Sequence, residues 1–237
     1  ENERFNPEIW PLFKVQAIRC RDTVFLYVDL DNLIFDGFSV QLLFSRWSEY
    51  YHNSAKNVEK LGVSFRDYVN ALAAVKQSAQ YEIDQQYWKQ QVLTMAPAPD
   101  LFTISSPDML VAQTISHYTA KLDPQTWQQL QANSRAYGLT PATALLTAYS
   151  VLLSLWSRTS AFTINVTQYN RLFNHPEINA LIGDFTLLSM LSVDMSAPVT
   201  FCEHAQRIQN KVSDNMAHPY FSGVEVQQEY AKLHQLG

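Results

Sequence analysis

The sequence predicts an α/β fold with two layers and a mixed sheet. Three observations carry that expectation: stretches of strict apolar–polar alternation, longer stretches with apolar residues every three or four positions, and the interleaving of the two along the chain. No Gly-rich first turn or regular βαβ period points to a Rossmann-type sheet.

Thr23 to Asp31 alternates, with Val24, Leu26, Val28 and Leu30 on one face, and reads as a strand ending in acid. After Gly37 the period turns helical through Val40, Leu43, Phe44, Trp47 and Tyr51, with Ser39 placed to cap the first turn. Two further helices are expected at Ser64 to Val75 and about Tyr81 to Leu93. A Pro- and Ser-rich interval runs from Met95 through Pro97 and Pro99 to Ser105-Ser106-Pro107 and sets a subdomain boundary, dividing the chain into 1–106 and 107–237. His117 to Leu122 is expected as a strand. Asp123-Pro124 and Thr140-Pro141 each supply an N-cap followed by an N1 proline, and Gly138 stops the helix between them.

The second of those helices carries Leu145, Leu146, Tyr149, Leu152, Leu153 and Trp156, a stripe expected in the core. Ala161 to Tyr169 alternates again, with Thr163, Asn165, Thr167 and Tyr169 on an unusually polar face suited to lining a cavity. Phe185 to Met195 reads as a strand apolar on both faces and therefore central. Thr200 with Glu203 and Ser222 with Glu225 form capping boxes for two last helices.

Composition narrows the function. The 237 residues are 47% hydrophobic and only 16% charged, which excludes a disordered chain. A net charge of −5 argues against a nucleic-acid binder. With six glycines and no phosphate-cradling motif, nucleotide-dependent chemistry is not expected. Cys20 and Cys202 are far apart and the six histidines show no ligand spacing, so neither a disulfide nor a metal site is read. His175 and His218 adjoin prolines and His204 sits on a helix, as solvated or core-edge histidines do. No apolar run reaches the roughly 18 residues of a membrane span, and Glu1-Asn2-Glu3-Arg4 is unlike a signal peptide, so a soluble protein is expected, and the cysteine usage makes a reducing cytoplasm the expected compartment.

The segment Leu30-Asp31-Asn32-Leu33-Ile34-Phe35-Asp36-Gly37-Phe38-Ser39 places two carboxylates across a strand end and a hydroxyl at a helix start. Two readings stay open for it: Asp36 and Ser39 cap the helix while Asp31 closes the strand, or the acids serve chemistry. For Asp184 and Thr186, a turn acceptor before a strand is the competing structural reading.

Asp31, Asp36 and Ser39 match DxxxxDxxS, which resembles the signature of the heterocyclization domains of nonribosomal peptide synthetases, where ordinary condensation domains carry HHxxxDG. The likeness continues in order through Trp10-Pro11-Leu12-Phe13, Ser64-Phe65-Arg66-Asp67-Tyr68 and Tyr87-Trp88. It extends through Asn165-Val166-Thr167-Gln168-Tyr169-Asn170-Arg171, Gly183-Asp184-Phe185-Thr186 and Ser222-Gly223-Val224-Glu225-Val226. The resemblance implies a chloramphenicol-acetyltransferase-like sandwich of two subdomains, with a tunnel between them for phosphopantetheine arms. Residues 1–106 would be the later part of the first subdomain and 107–237 the earlier part of the second. It implies condensation of a carrier-bound acyl thioester with carrier-bound Cys, Ser or Thr, then cyclodehydration to a thiazoline or oxazoline, in a siderophore setting.

Asp31, Asp36, Ser39, Asn165 and Thr167 become the candidate catalytic residues, and Asp184 and Thr186 the candidate substrate-binding ones. Asp36 and Arg171 are the expected structural pair, joined by a bidentate ion pair. No cofactor is expected to bind directly, because substrates ride on phosphopantetheine. The expected partners are peptidyl or aryl carrier protein domains and the adenylation domain of the same synthetase, with no nucleic acid and no membrane span. The family's early FPLTxxQxAYxxGR motif and its late PVVFTS and TPQVxLDxQ motifs are absent, so the chain reads as the central part of such a domain. Exposed sheet edges and poor solubility are expected of it alone. An ordinary condensation or acyltransferase domain and an inactive carrier-binding scaffold remain the alternatives.

Overall fold

A computed structural model of the protein describes residues 5–53, 55, 57, 60–102, 118–172 and 174–235. The elements are β1 (Phe13–Cys20), β2 (Thr23–Leu30), α1 (Gly37–His52), α2 (Phe65–Val75), α3 (Ala79–Thr94), α4 (Pro124–Ala136), α5 (Pro141–Trp156), β3 (Ala161–Tyr169), β4 (Thr186–Asp194), α6 (Phe201–Met216) and α7 (Gly223–His234). Among the described residues β1 pairs with β2 and β3 with β4, each in a two-stranded sheet. The chain forms two compact units, one of Glu1–Glu82 with Thr167–Leu188 and one of Ile83–Val166 with Ser189–Gly237. The expected boundary at 106/107, with Ser105, Ser106 and Pro107, lies outside the described residues.

In the first unit β1 and β2 make an antiparallel hairpin, registered from Phe13 opposite Leu30 to Cys20 opposite Thr23. β1 is absent from the sequence reading because the turn residues Arg21-Asp22 give no Asn-Gly or Asp-Gly signal, although Arg21 takes the left-handed φ of 52° that such turns require. The core of this unit is Val63, Tyr68, Ile178, Leu181 and Phe185. Tyr68 lies at 4.7 Å from the Phe185 ring, and Phe65 meets Phe185 edge to face at 5.2 Å.

In the second unit Leu153, Phe162, Leu191, Val193 and Ile208 form the core. The expected caps are present: Asp123 before α4, Thr140 before α5, and complete capping boxes at Thr200/Glu203 and Ser222/Glu225. Gly138, just past α4, has φ +66°, the conformation in which glycine avoids a Cβ clash.

Three expectations are corrected. Residues 118–122 form no strand, and His117 lies outside the described residues. The α5 stripe is not all core, since Leu145, Tyr149, Leu152 and Trp156 are exposed. The inward face is built instead from Thr143, Ala144, Thr147, Ser150 and Leu153. Thr147 and Ser150 donate to the carbonyls of Thr143 and Leu146, both at 2.8 Å, so their hydroxyls are satisfied inside the helix and allow close packing. β4 is not apolar on two buried faces either. Ser189, Leu191 and Val193 are buried while their neighbours are less so, as expected of a strand covered chiefly on one side.

Candidate functional site

The signature segment sits at the junction from β2 to α1. Asp31 closes the strand: its Oδ1 accepts the Leu33 N–H at 2.9 Å and its carbonyl accepts from Ile34 at 3.1 Å, a local turn that leaves the carboxylate half-buried. Asp36, not Ser39, is the N-cap of α1. Its extended backbone aims Oδ1 at the Ser39 N–H, 2.6 Å away, where the helix N-terminus also favours negative charge.

The second oxygen of Asp36 reaches elsewhere in the unit and accepts the Phe185 N–H at 3.1 Å, while the Asp36 N–H donates to the Gly183 carbonyl at 3.1 Å. The Ser39 side chain donates to the same carbonyl at 2.8 Å and accepts from the Gly183 N–H at 3.1 Å. Asp36 is 4% exposed and Ser39 fully buried, so the burial cost of both is offset by complete hydrogen bonding. Gly183 has no room for a Cβ, which would run into the Phe65 ring.

Arg171 joins this node without pairing directly with Asp36, contrary to the bidentate expectation. Its guanidinium donates to the carbonyls of Ile178 and Leu181, the latter at 2.9 Å, and to Ser39 Oγ at 3.4 Å. It also stacks over Phe185 at 3.8 Å and Phe38 at 4.6 Å. The reason is geometric. Both Asp36 oxygens are taken by backbone amides, and the carbonyls of the 178–181 turn capture the fork of the guanidinium. Burial pulls the pKa of Arg171 down from its ordinary value, and the Asp36 and Tyr68 charges oppose that shift. Burial likewise raises the Tyr68 phenol, against the pull of Arg171.

Asp184 accepts the Thr186 N–H at 3.0 Å in a local turn, and Thr186 is exposed. Asp36, Ser39 and Arg171 are thus brought together around the backbone of 183–185, while Asp31 and Asp184 make local turns of their own, the latter with the Thr186 backbone N–H.

Asn165 belongs to the second unit. It lines a cavity of about 460 Å³ with Met95, Tyr149, Met190, Gln227 and Tyr230. Its Oδ1 accepts from Gln227 Nε2 at 3.4 Å, which leaves two amides among largely apolar walls. Thr167, two residues on, is exposed and does not line this cavity. Gln227 and Tyr230 escaped the sequence reading because their three-residue spacing on α7 is that of any helix face.

Also unread from sequence is the fully buried Asp84, which faces His218 Nδ1 at 3.0 Å and accepts the Tyr220 N–H at 2.9 Å. Tyr87 stacks on His218 at 4.1 Å and donates to Asn215 at 2.8 Å. Burial, with the Asp214 charge adding to it, pushes the Tyr87 phenol up to about 12.

Comparison with known proteins places these features in a family. The model of the condensation domain matches residues 1–235. The chain is 34% identical over 223 residues to pyochelin synthetase PchF of Pseudomonas aeruginosa, covering 94% of this chain and 12% of PchF. It is 29% identical over 209 residues to phenyloxazoline synthase MbtB of Mycobacterium tuberculosis, covering 87% of this chain and 15% of MbtB. The EpoB NRPS cyclization-docking bidomain from Sorangium cellulosum superposes with a TM-score of 0.91 at 31% identity, covering 98% of this chain and 47% of that one. The chain therefore spans less than half the length of each of these relatives. The mixed α/β architecture is that of the chloramphenicol-acetyltransferase-like condensation and cyclization domains. This chain belongs to the condensation domain family.

Proposed function

We propose that the domain acts in heterocyclization. A carrier-bound acyl thioester is joined to the amine of a carrier-bound Cys, Ser or Thr, and the product is closed to a thiazoline or oxazoline. The observation that carries this reading is the Asp31, Asp36 and Ser39 pattern in place of a histidine pair, with Asp36 and Ser39 buried and bonded to 183–185. Likeness to a phenyloxazoline synthase and to a cyclization bidomain supports it.

In the first step the amine attacks the thioester carbonyl, a C–N bond forms, and the donor thiol leaves. Holding two tethered reactants together supplies most of what this step needs. In the second step the side-chain thiol or hydroxyl attacks the new amide carbonyl, and its oxygen departs as water. That step calls for hydrogen-bond donors at the carbonyl and for a route for protons. Asn165 is assigned as such a donor and Thr167 as its companion on the polar face of β3. Asp36, Ser39 and Arg171 hold the α1 junction, Asp31 ends β2, and Asp184 and Thr186 shape the approach to β4 for substrate. Residues 1–106 and 107–237 serve as portions of the two subdomains. Carrier domains and the adenylation domain of the parent synthetase are the partners, and the substrates arrive on phosphopantetheine in the cytoplasm, in an iron-chelator pathway.

Ordinary condensation is the second reading, favoured by Asp36-Gly37, which keeps the ending of HHxxxDG. Product mass from the full synthetase with loaded carriers separates the two. Heterocyclization gives a product one water lighter than the linear amide. The linear amide itself indicates ordinary condensation, and two unchanged thioesters indicate a scaffold.

A further inference from the structure

The second unit carries a small basic cleft outside the cavity of Asn165. It has a volume of about 220 Å³ and lies between the end of β4 and one face of α6, lined by Ser192, Asp194, His204, Arg207, Ile208 and Lys211. His204, Arg207 and Lys211 follow at intervals of three and four residues, which puts all three basic side chains on one side of the helix. Ile208 turns into the core and anchors that face.

Three observations set the cleft apart from an ordinary solvated helix face. His204 is only 8% exposed and still lines the opening. Among the described residues, no hydrogen bond or ion pair engages the side chain of His204, Arg207 or Lys211. The carboxylate of Asp194 is tied to the Ser196 N–H at 2.9 Å, and those hydrogen bonds, more than the nearby His204 and Arg207 charges, lower its pKa. Glu203, next along the helix, is held by Thr200 in the capping box. The acids around the cleft thus have hydrogen-bond partners of their own, and His204, Arg207 and Lys211 line it with donors that no hydrogen bond among the described residues uses.

We propose that this cleft binds a phosphate group, with His204 at its base and Arg207 and Lys211 at its mouth. A tetrahedral anion offers acceptor oxygens to donors arriving from different directions. The Arg fork and the Lys point charge suit it better than they suit a planar carboxylate. The space admits free phosphate or the phosphate of a short ester. The proposal is independent of the heterocyclization reading, because its readout is binding.

The test is calorimetric titration of the protein with inorganic phosphate, ethyl phosphate and acetate in a phosphate-free buffer, with the His204 imidazole signals followed by NMR. Phosphate should bind at least tenfold more tightly than acetate and shift the His204 resonances. Ethyl phosphate binding as tightly as the free ion identifies an ester as the ligand, and tenfold weaker binding identifies the free ion. Arg207→Gln, at an exposed position, should weaken phosphate about tenfold, the value of one charge-assisted hydrogen bond. Lys211→Gln should act in the same direction and serves if the first variant folds poorly. Arg46→Gln, on α1, should change nothing. Phosphate binding no tighter than acetate, or equal in Arg207→Gln, Lys211→Gln and Arg46→Gln, would overturn the proposal.

Discussion

The polar groups around Asp36 are buried, whereas those around Asn165 lie exposed along a cavity wall, and the two sets are used in opposite ways. Around Asp36 every polar atom has a partner: a carboxylate caps α1 and holds the Phe185 amide, a hydroxyl bonds both sides of the Gly183 backbone, and a guanidinium closes the 178–181 turn. Around Asn165 the amides of Asn165 and Gln227 share one long hydrogen bond, Gln227 also donates to Met190 Sδ at 3.8 Å, and both amides line a cavity. A saturated network fixes geometry, whereas an unsaturated one has donors left for a substrate. On the proposed reading the signature motif marks a fastener, and the donors assigned to the chemistry lie on a strand that sequence reading picks out only by its alternation.

The largest expected effect on stability comes from breaking the saturated side. Asp36→Ala removes the cap of α1 and strands the buried Phe185 amide, and should cost about 3 kcal/mol in chemical denaturation. An effect below about 1 kcal/mol would show that the node is slack. Asn165→Ala should behave in the reverse manner. Its stability should stay within about 0.5 kcal/mol, while cyclised product from the full synthetase falls about 100-fold, as for loss of one preorganised donor. Ser39→Ala should cost about 2 kcal/mol, because the Gly183 N–H and carbonyl lose their buried partner.

Smaller effects sharpen the contrast. Tyr87 should titrate near 12 in an ultraviolet pH titration. Because its folded pKa is raised, the stability linked to it is complete below about pH 10 and is lost as pH climbs toward 12. A midpoint near the ordinary phenol value of 10.0 would contradict the burial assigned to Tyr87. The smallest effect is expected for Leu152→Gln on the exposed side of α5, within about 0.5 kcal/mol.

Most elements are legible from local rules, because caps and prolines act within four residues: Asp123-Pro124, Thr140-Pro141, Thr200/Glu203 and Ser222/Glu225 all open helices as read. What escapes depends on distant partners. The α5 stripe looks like core until Thr147 and Ser150 are seen to satisfy their own hydroxyls within the helix, which frees that side to be the buried one. At the site, the choice of Asp36, Ser39 and Arg171 as residues of interest is legible, but their connectivity is not. Nothing in a linear pattern shows that Gly183 lacks space for a side chain, or that the 178–181 carbonyls take the guanidinium that Asp36 was expected to hold. The buried contact of Asp84 with His218 spans 134 residues and left no local signal.

The claim that the signature acids fasten rather than catalyse is tested most directly in the full synthetase, by measuring folded fraction and turnover per folded molecule for Asp36→Asn and Arg171→Lys. The account predicts that both variants lose folded yield, while the molecules that fold retain turnover within a few-fold of the parent. Normal folding with turnover abolished in both would contradict it and return these side chains to the chemistry itself.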